Sequence, residues 1–222
     1  MRLFILIFIF FIFLKIPAQE FNISINKPTE ETQKLSESPD NLKLVWWIPV
    51  EFWQAVFAQD QTMPQAQADE IVQVLGQYTI LATLDGKIGA FGDITYETKD
   101  NIFKTLEIID TNNKTYKPLE DSEIDNRTQE ILSFMKPVLG NTLGNMGENM
   151  HFFLFKDQYN PSERIINPKN KDNFTVKLGD EEFRWTLPLA SLIKPKKCPV
   201  DDELMNGTWN YCPHHGAKLK EQ

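Results

Sequence analysis

Four residues near the end of the chain combine the side-chain types and the spacing that a metal ion needs: Cys198, Asp201, Cys212 and His215. Cys198-Pro-Val-Asp201 and Cys212-Pro-His-His215 each place two ligand groups three residues apart, so that one tight turn can present both to a single ion. Pro199 and Pro213 stiffen the two turns, and Gly216 supplies the positive φ that often follows such a knuckle. Between them, Asn206-Gly207 is a type I′ hairpin signal. Trp209 and Tyr211 lie on the strand expected to lead into the second turn. Thiolate, imidazole and carboxylate are the groups zinc takes, and a full tetrahedral set makes a structural site, not a catalytic one. An open set completed by water would be catalytic in kind, but the tail offers no general base to go with it.

The pattern CP-x-x…W-x-Y-CP-x-H-G over residues 198–216 resembles the zinc ribbon family in a degenerate form. The resemblance implies a small hairpin-based tail closed by a structural zinc ion. It departs from that family at Asp201, which stands where a thiolate or imidazole is usual. His214 is a second, less well placed candidate for the same ion. The same sulfurs allow another chemistry. A Cys198–Cys212 disulfide would close the hairpin and contribute about 3 kcal/mol on the chain-entropy model. Zinc and disulfide exclude each other, and two free thiols are the third state open to the pair.

Outside the tail the only histidine is His151, three residues after Glu148. A histidine beside a carboxylate can serve as a general acid or base, and Asp85 and Asp93 are further carboxylates in the main domain. The same histidine at the mouth of a buried strand also reads as a hydrogen-bonded core residue. No nucleophile elbow, no H-E-x-x-H and no carboxylate pair of defined spacing is present. Two glycine-punctuated segments, 86–92 and 140–147, do not lead into a helix N-terminus with a Lys-Ser/Thr pair, so neither reads as a phosphate loop.

Export is the next inference. Arg2 is followed by an apolar run from Leu3 to Leu14, shorter than the roughly 20 residues that span a bilayer, and then by Ile16-Pro17-Ala18. Residues 1–18 therefore read as a signal peptide, cleaved after Ala18, and the mature protein as periplasmic or extracellular with no membrane span. The formal charge of −8 becomes more negative once Arg2 and Lys15 are removed, which excludes an electrostatic case for nucleic acid. Two cysteines are too few for a disulfide scaffold, whereas five Trp and 16 Phe suffice for a packed core.

The elements that must position these groups follow in order. Residues 19–41 are polar and read as a flexible leader. Leu44–Ile48 reads as a strand stopped by Pro49, and Phe52, Trp53, Val56 and Phe57 fall on one face of a short helix. That aromatic stretch could offer a platform for sugars or an interface, but helical spacing already accounts for it as core. A second short helix is capped by Thr62 and ends at Gly76. Strands are expected at 78–84, 94–97 and 102–110. A longer helix over 122–143 begins at Ser122, carries the stripe Ile131, Phe134, Met135, Val138 and Leu139, and breaks or kinks at Pro137. His151–Phe155 is apolar on both faces, as in a central strand. Phe174–Leu178 and Phe183–Leu187 alternate about Gly179-Asp180 as an edge hairpin. The expected fold is α+β over residues 42–193, with a largely antiparallel sheet, two short helices and one longer one. A basic linker and the zinc-ribbon-like tail over 194–222 complete it. The function these observations imply is binding or assembly outside the cytoplasm. The alternative is a secreted or periplasmic hydrolase using His151.

Overall fold

The computed structural model describes residues 26–59, 62–158, 160 and 163–222; the expected signal peptide lies outside them. The fold is α+β with antiparallel sheets, and among the described residues no helix is long and apolar enough to cross a membrane. In chain order the elements are α1 (Asn26–Thr32), β1 (Gln33–Leu35), β2 (Asn41–Ile48), α2 (Val50–Gln59), α3 (Gln65–Leu75), β3 (Tyr78–Ile88), β4 (Ile94–Tyr96), α4 (Lys99–Thr105) and β5 (Leu106–Asp110). There follow β6 (Thr115–Tyr116), α5 (Asn126–Leu143), α6 (Asn145–Glu148), β7 (His151–Lys156), β8 (Asn173–Leu178), β9 (Glu181–Thr186), β10 (Lys196–Lys197) and β11 (Leu204–Met205).

The long strand β3 is the spine. On one side it pairs with β2, in the register Lys43↔Asp85 and Val45↔Thr83. On the other it pairs with β7 along its first half and with β4 at its end. A second sheet runs β6-β5-β8-β9. Alternation along β2, β3 and β7 divides the apolar residues between two cores. Val45, Trp47, Leu81, Phe153 and Phe155 meet the second sheet through Ile108, Phe174, Val176 and Trp185. Leu44, Ile48, Ile80, Ala82, Leu84 and Leu154 face the helices, against Phe52, Trp53, Val72, Leu75 and Leu132. Aromatic contacts tie both layers: Trp47 stands edge-on to Phe174 at 4.9 Å, and Phe174 stacks on Trp185 at 4.9 Å.

Several expectations are met and several corrected. The hairpin of β8 and β9 forms with Gly179 at φ +64°, and β9 lies at an edge as its solvated face demands. Trp46–Phe57 is largely core: Trp47, Phe52 and Trp53 are buried, and the half-buried Trp46 donates its indole N–H to Thr32 Oγ1 at 3.2 Å. That contact belongs to a region expected to be a flexible leader. Residues 26–35 instead form α1 and β1, with Gln33 opposite Trp46, and Glu31 accepts from the Ser191 N–H and hydroxyl at 3.0 and 2.5 Å. The run 102–110 is not one strand. Thr98 accepts from Asn101 N–H and starts α4, which carries the chain to Thr105 before β5 begins. Asp125, not Ser122, caps α5, accepting from Thr128 N–H at 2.9 Å, and the helix runs through Pro137 to Leu143. Its stripe is only partly buried, because Phe134 and Val138 are 77% and 60% exposed while Leu132 packs inward. β7 is covered on both faces, but among the described residues it pairs only with β3.

The tail has a small core of its own, Cys198, Met205, Cys212 and Leu219. Here the expected hairpin between the knuckles is replaced by one hairpin around each of them. β10 pairs with β11 about the first knuckle, Tyr211 bridges Lys218 about the second, and Lys197 bridges Lys220 to join the two. Asn206-Gly207 is not a type I′ turn, since neither residue has positive φ. Asn206 Oδ1 instead accepts from Thr208 N–H and Oγ1, both at 2.9 Å.

Candidate metal centre

Backbone hydrogen bonds build the two knuckles alike. The N–H of Cys198 donates to Glu203 O at 2.9 Å, and that of Asp202 returns to Cys198 O at 3.0 Å. In the second knuckle Cys212 N–H donates to Ala217 O at 2.8 Å and Gly216 N–H returns to Cys212 O at 2.9 Å. The chain can close each turn because the residue after the second ligand type is left-handed, Asp202 at φ 62° and Gly216 at φ 63°. Each cysteine is thereby held under its own turn, buried at 0% and 2% exposure.

The two turns point at one another. The sulfurs are 3.6 Å apart and unbonded, so the disulfide alternative is not what the structure contains. His215 Nδ1 lies 3.4 Å from Cys198 Sγ and 3.5 Å from Cys212 Sγ. Cys198, Cys212 and His215 are thus close enough to bind one metal ion, each offering an atom within 4.8 Å of the others. Asp201 is at the margin of this group. Its Oδ2 is 3.7 Å from His215 Nδ1, while its Oδ1 accepts from the Glu203 N–H at 3.1 Å. His214 is beside His215, ring centres 6.5 Å apart, and outside the cluster.

The electrostatics of the two thiols differ. Burial pushes Cys198 above the ordinary thiol value. Burial also acts against ionisation of Cys212, but hydrogen bonds from the His215 and His214 backbone and from the His215 ring outweigh it and hold that thiol low. Asp201 is held below the usual carboxylate range by the Glu203 N–H and the Cys198 thiol. A pocket with one readily ionised thiol, an imidazole nitrogen and a carboxylate in reach is a donor set for a soft or borderline cation.

The other candidates do not converge. His151 lines a cavity of about 250 Å³ with Lys99, Lys136 and Ser133. Burial lowers its pKa to about 4, helped by the charges of Lys136 and Lys99. Among the described residues no carboxylate hydrogen-bonds to it, and Lys136 donates to the Glu148 backbone carbonyl at 2.7 Å while the Glu148 charge acts on the same ammonium. The carboxylate of Asp85 faces Lys43, with Oδ2 3.6 Å from Nζ. The Lys43–Asp85 pair itself had a signal in the sequence: in Leu42-Lys-Leu-Val-Trp-Trp47, Lys43 occupies an inward position of a period-2 run.

Comparison with known protein families, with curated proteins and with solved structures finds no match to this chain.

Proposed function

We propose that residues 198–216 form a structural zinc module, with Cys198, Cys212, His215 and Asp201 as its ligands. The module is appended to an α+β body that is exported and acts by binding or assembly. The observation that carries the metal reading is the 3.6 Å separation of the sulfurs with one imidazole nitrogen shared between them. Two thiolates on a tetrahedral zinc, each bonded at about 2.3 Å, stand roughly 3.7–3.8 Å apart, whereas a disulfide requires about 2.05 Å. Asp201 completes the set by symmetry. It occupies in the first knuckle the position His215 occupies in the second, and with the Glu203 N–H on Oδ1 it is Oδ2 that is turned toward His215, 3.7 Å from Nδ1. A closed site of this kind supplies folding energy, not chemistry.

Against turnover stands the surrounding of His151: the charges that act on it are those of Lys136 and Lys99, and among the described residues no carboxylate hydrogen-bonds to it. Export rests on the apolar run and the Ile16-Pro17-Ala18 sequence alone. One measurement tests all of this: intact mass of the protein recovered from an exporting host, under native and then denaturing conditions. Loss of residues 1–18 and one zinc lost on denaturation, with both thiols reduced, is the expected outcome. A denatured mass lower by two hydrogens would mean a disulfide and end the metal reading.

A further inference from the structure

At the tip of the β3–β4 hairpin several apolar side chains stand in solvent together. Ile88 and Ile94 are cross-strand partners, 37% and 40% exposed, and Phe91 at the apex between them is 99% exposed. Ala90 beside it is exposed as well. Single exposed apolar residues are ordinary, but a cluster gathered at one projecting point is not. Strand alternation puts Ile88 and Ile94 on the face that Leu84 and Tyr96 carry into the helix-side core, so these two are its outer end. Phe91 lies beyond that end and belongs to none of the cores.

The turn that presents it is closed by its own backbone. Gly89 N–H donates to Asp93 O at 2.7 Å, and Gly92 N–H donates to Gly89 O at 2.9 Å. Gly92 takes φ +82°, a conformation that a side chain would strain. Gly89 leaves the space that the Asp93 carboxylate fills, since a Cβ there would lie 2.4 Å from its Oδ1. Behind the turn, Ile88 N–H donates to Asp40 O at 2.9 Å, which ties the stem to the residue before β2. Phe91 is thus held out on a fixed support and needs no rearrangement to be buried by a partner.

Size and shape select that partner. A Phe side chain buries about 150–250 Å², so the tip amounts to roughly a few hundred Å², against about 800 Å² per partner in a stable protein interface. Its surroundings do not extend it, because Asp40, Lys87, Asp93 and Thr95 are polar and exposed. A bilayer requires no such area: an apolar point that crosses the headgroups is buried on every side. The polar collar carries both signs, Lys87 with Asp40 and Asp93, which suits headgroups of zero net charge, and the chain's charge of −8 disfavours anionic ones. We propose that the β3–β4 tip inserts into the interface of a bilayer of net-neutral phospholipid, with Phe91 leading and Ile88 and Ile94 behind it. Attachment at one small point is reversible, as it is for a single acyl chain.

The test is co-flotation with phosphatidylcholine vesicles, using the chain from residue 19 onward. That chain keeps every element named above and lacks the apolar run of residues 3–14, which would bind lipid by itself. Lipid-dependent flotation is expected, equal at low and high salt and weaker when phosphatidylglycerol replaces half of the lipid. Phe91→Ser should lower the partition coefficient about tenfold or more. Its melting temperature should match the parent, because the Phe91 side chain packs into no core. Phe91→Trp reports the tip directly: phosphatidylcholine with brominated acyl chains should quench the fluorescence it adds to that of the parent. No flotation, flotation that Phe91→Ser leaves intact, or no quenching of the added Trp would each overturn the assignment. Self-association of the parent that Phe91→Ser abolishes, without flotation, would make the tip a contact between copies of the chain instead.

Discussion

Asp202 and Gly216 are equivalent residues of the two knuckles: each sits near φ +62°, and each donates its N–H to the carbonyl of the cysteine four residues earlier. Glycine is at home in that conformation and aspartate is not. Gly216→Ala should therefore cost about 1 kcal/mol in the tail. Asp202→Gly should be neutral within about 0.5 kcal/mol, as relief of strain is set against added chain entropy and the loss of an exposed pair with Lys197. Amide exchange of residues 198–216 reads both. Equal losses in the two variants would mean the turns are not equivalent.

Removing the metal should loosen the tail and little else. With the ion stripped by a chelator, exchange protection is expected to fall across residues 196–220, while the cores built on β3 keep theirs, because Cys198, Met205, Cys212 and Leu219 form a cluster apart from them. Asp201→Ala should reduce zinc affinity at least tenfold, roughly the smallest effect seen for an outer-shell partner, and Cys198→Ser should abolish it. If Asp201→Ala retains zinc as the parent does, the fourth ligand is water or another residue.

Folding stability should depend on His151. Its folded pKa is pushed down to about 4 from an ordinary value of 6.5. The unfolded chain therefore binds the proton first as pH falls, and the His151 contribution, full above pH 6.5, drains away down to about pH 4. The loss should be about 1–3 kcal/mol, read by urea unfolding at successive pH values. His151→Phe should flatten that slope. Lys136→Met should raise the imidazole pKa by removing a nearby cation, although it also frees the Gly147, Glu148 and Met150 carbonyls that Lys136 now caps. An imidazole titrating near 6.5 by NMR would contradict both expectations.

Gly207 should tolerate no side chain. A Cβ there would lie 2.1 Å from the Lys194 carbonyl oxygen and 2.6 Å from Ile193 Cγ2. Gly207→Ala is expected to push the tail off the segment that leads into it. The check is an increase in proteolysis between residues 193 and 208, with thermal unfolding of the main cores unchanged.

The sequence was most legible where period and punctuation agree. Phe174 to Leu187 alternates about a glycine, and the hairpin is there. The knuckles were readable because ligand spacing is local. What joins them was not: Asn-Gly pointed to a positive-φ turn, whereas this glycine is required by the close approach of Lys194. The 102–110 run hid a helix because Ile102, Phe103 and Leu106 are apolar in either period, and only the Thr98 cap marks its start. Polar residues 26–35 carry no apolar pattern, and their order comes from tertiary partners, Trp46 and Ser191, that lie far away in the sequence.

Successive side chains on β3 look into different rooms: Leu81 into the space between the sheets, Ala82 into the space beneath the helices. The strand is thus a shared wall, paired along both edges and loaded on both faces. Neither room can empty without moving it. Probes placed one residue apart there would watch opposite halves of the molecule lose their packing at the same moment, so cooperativity between the two cores is written into a single eleven-residue segment.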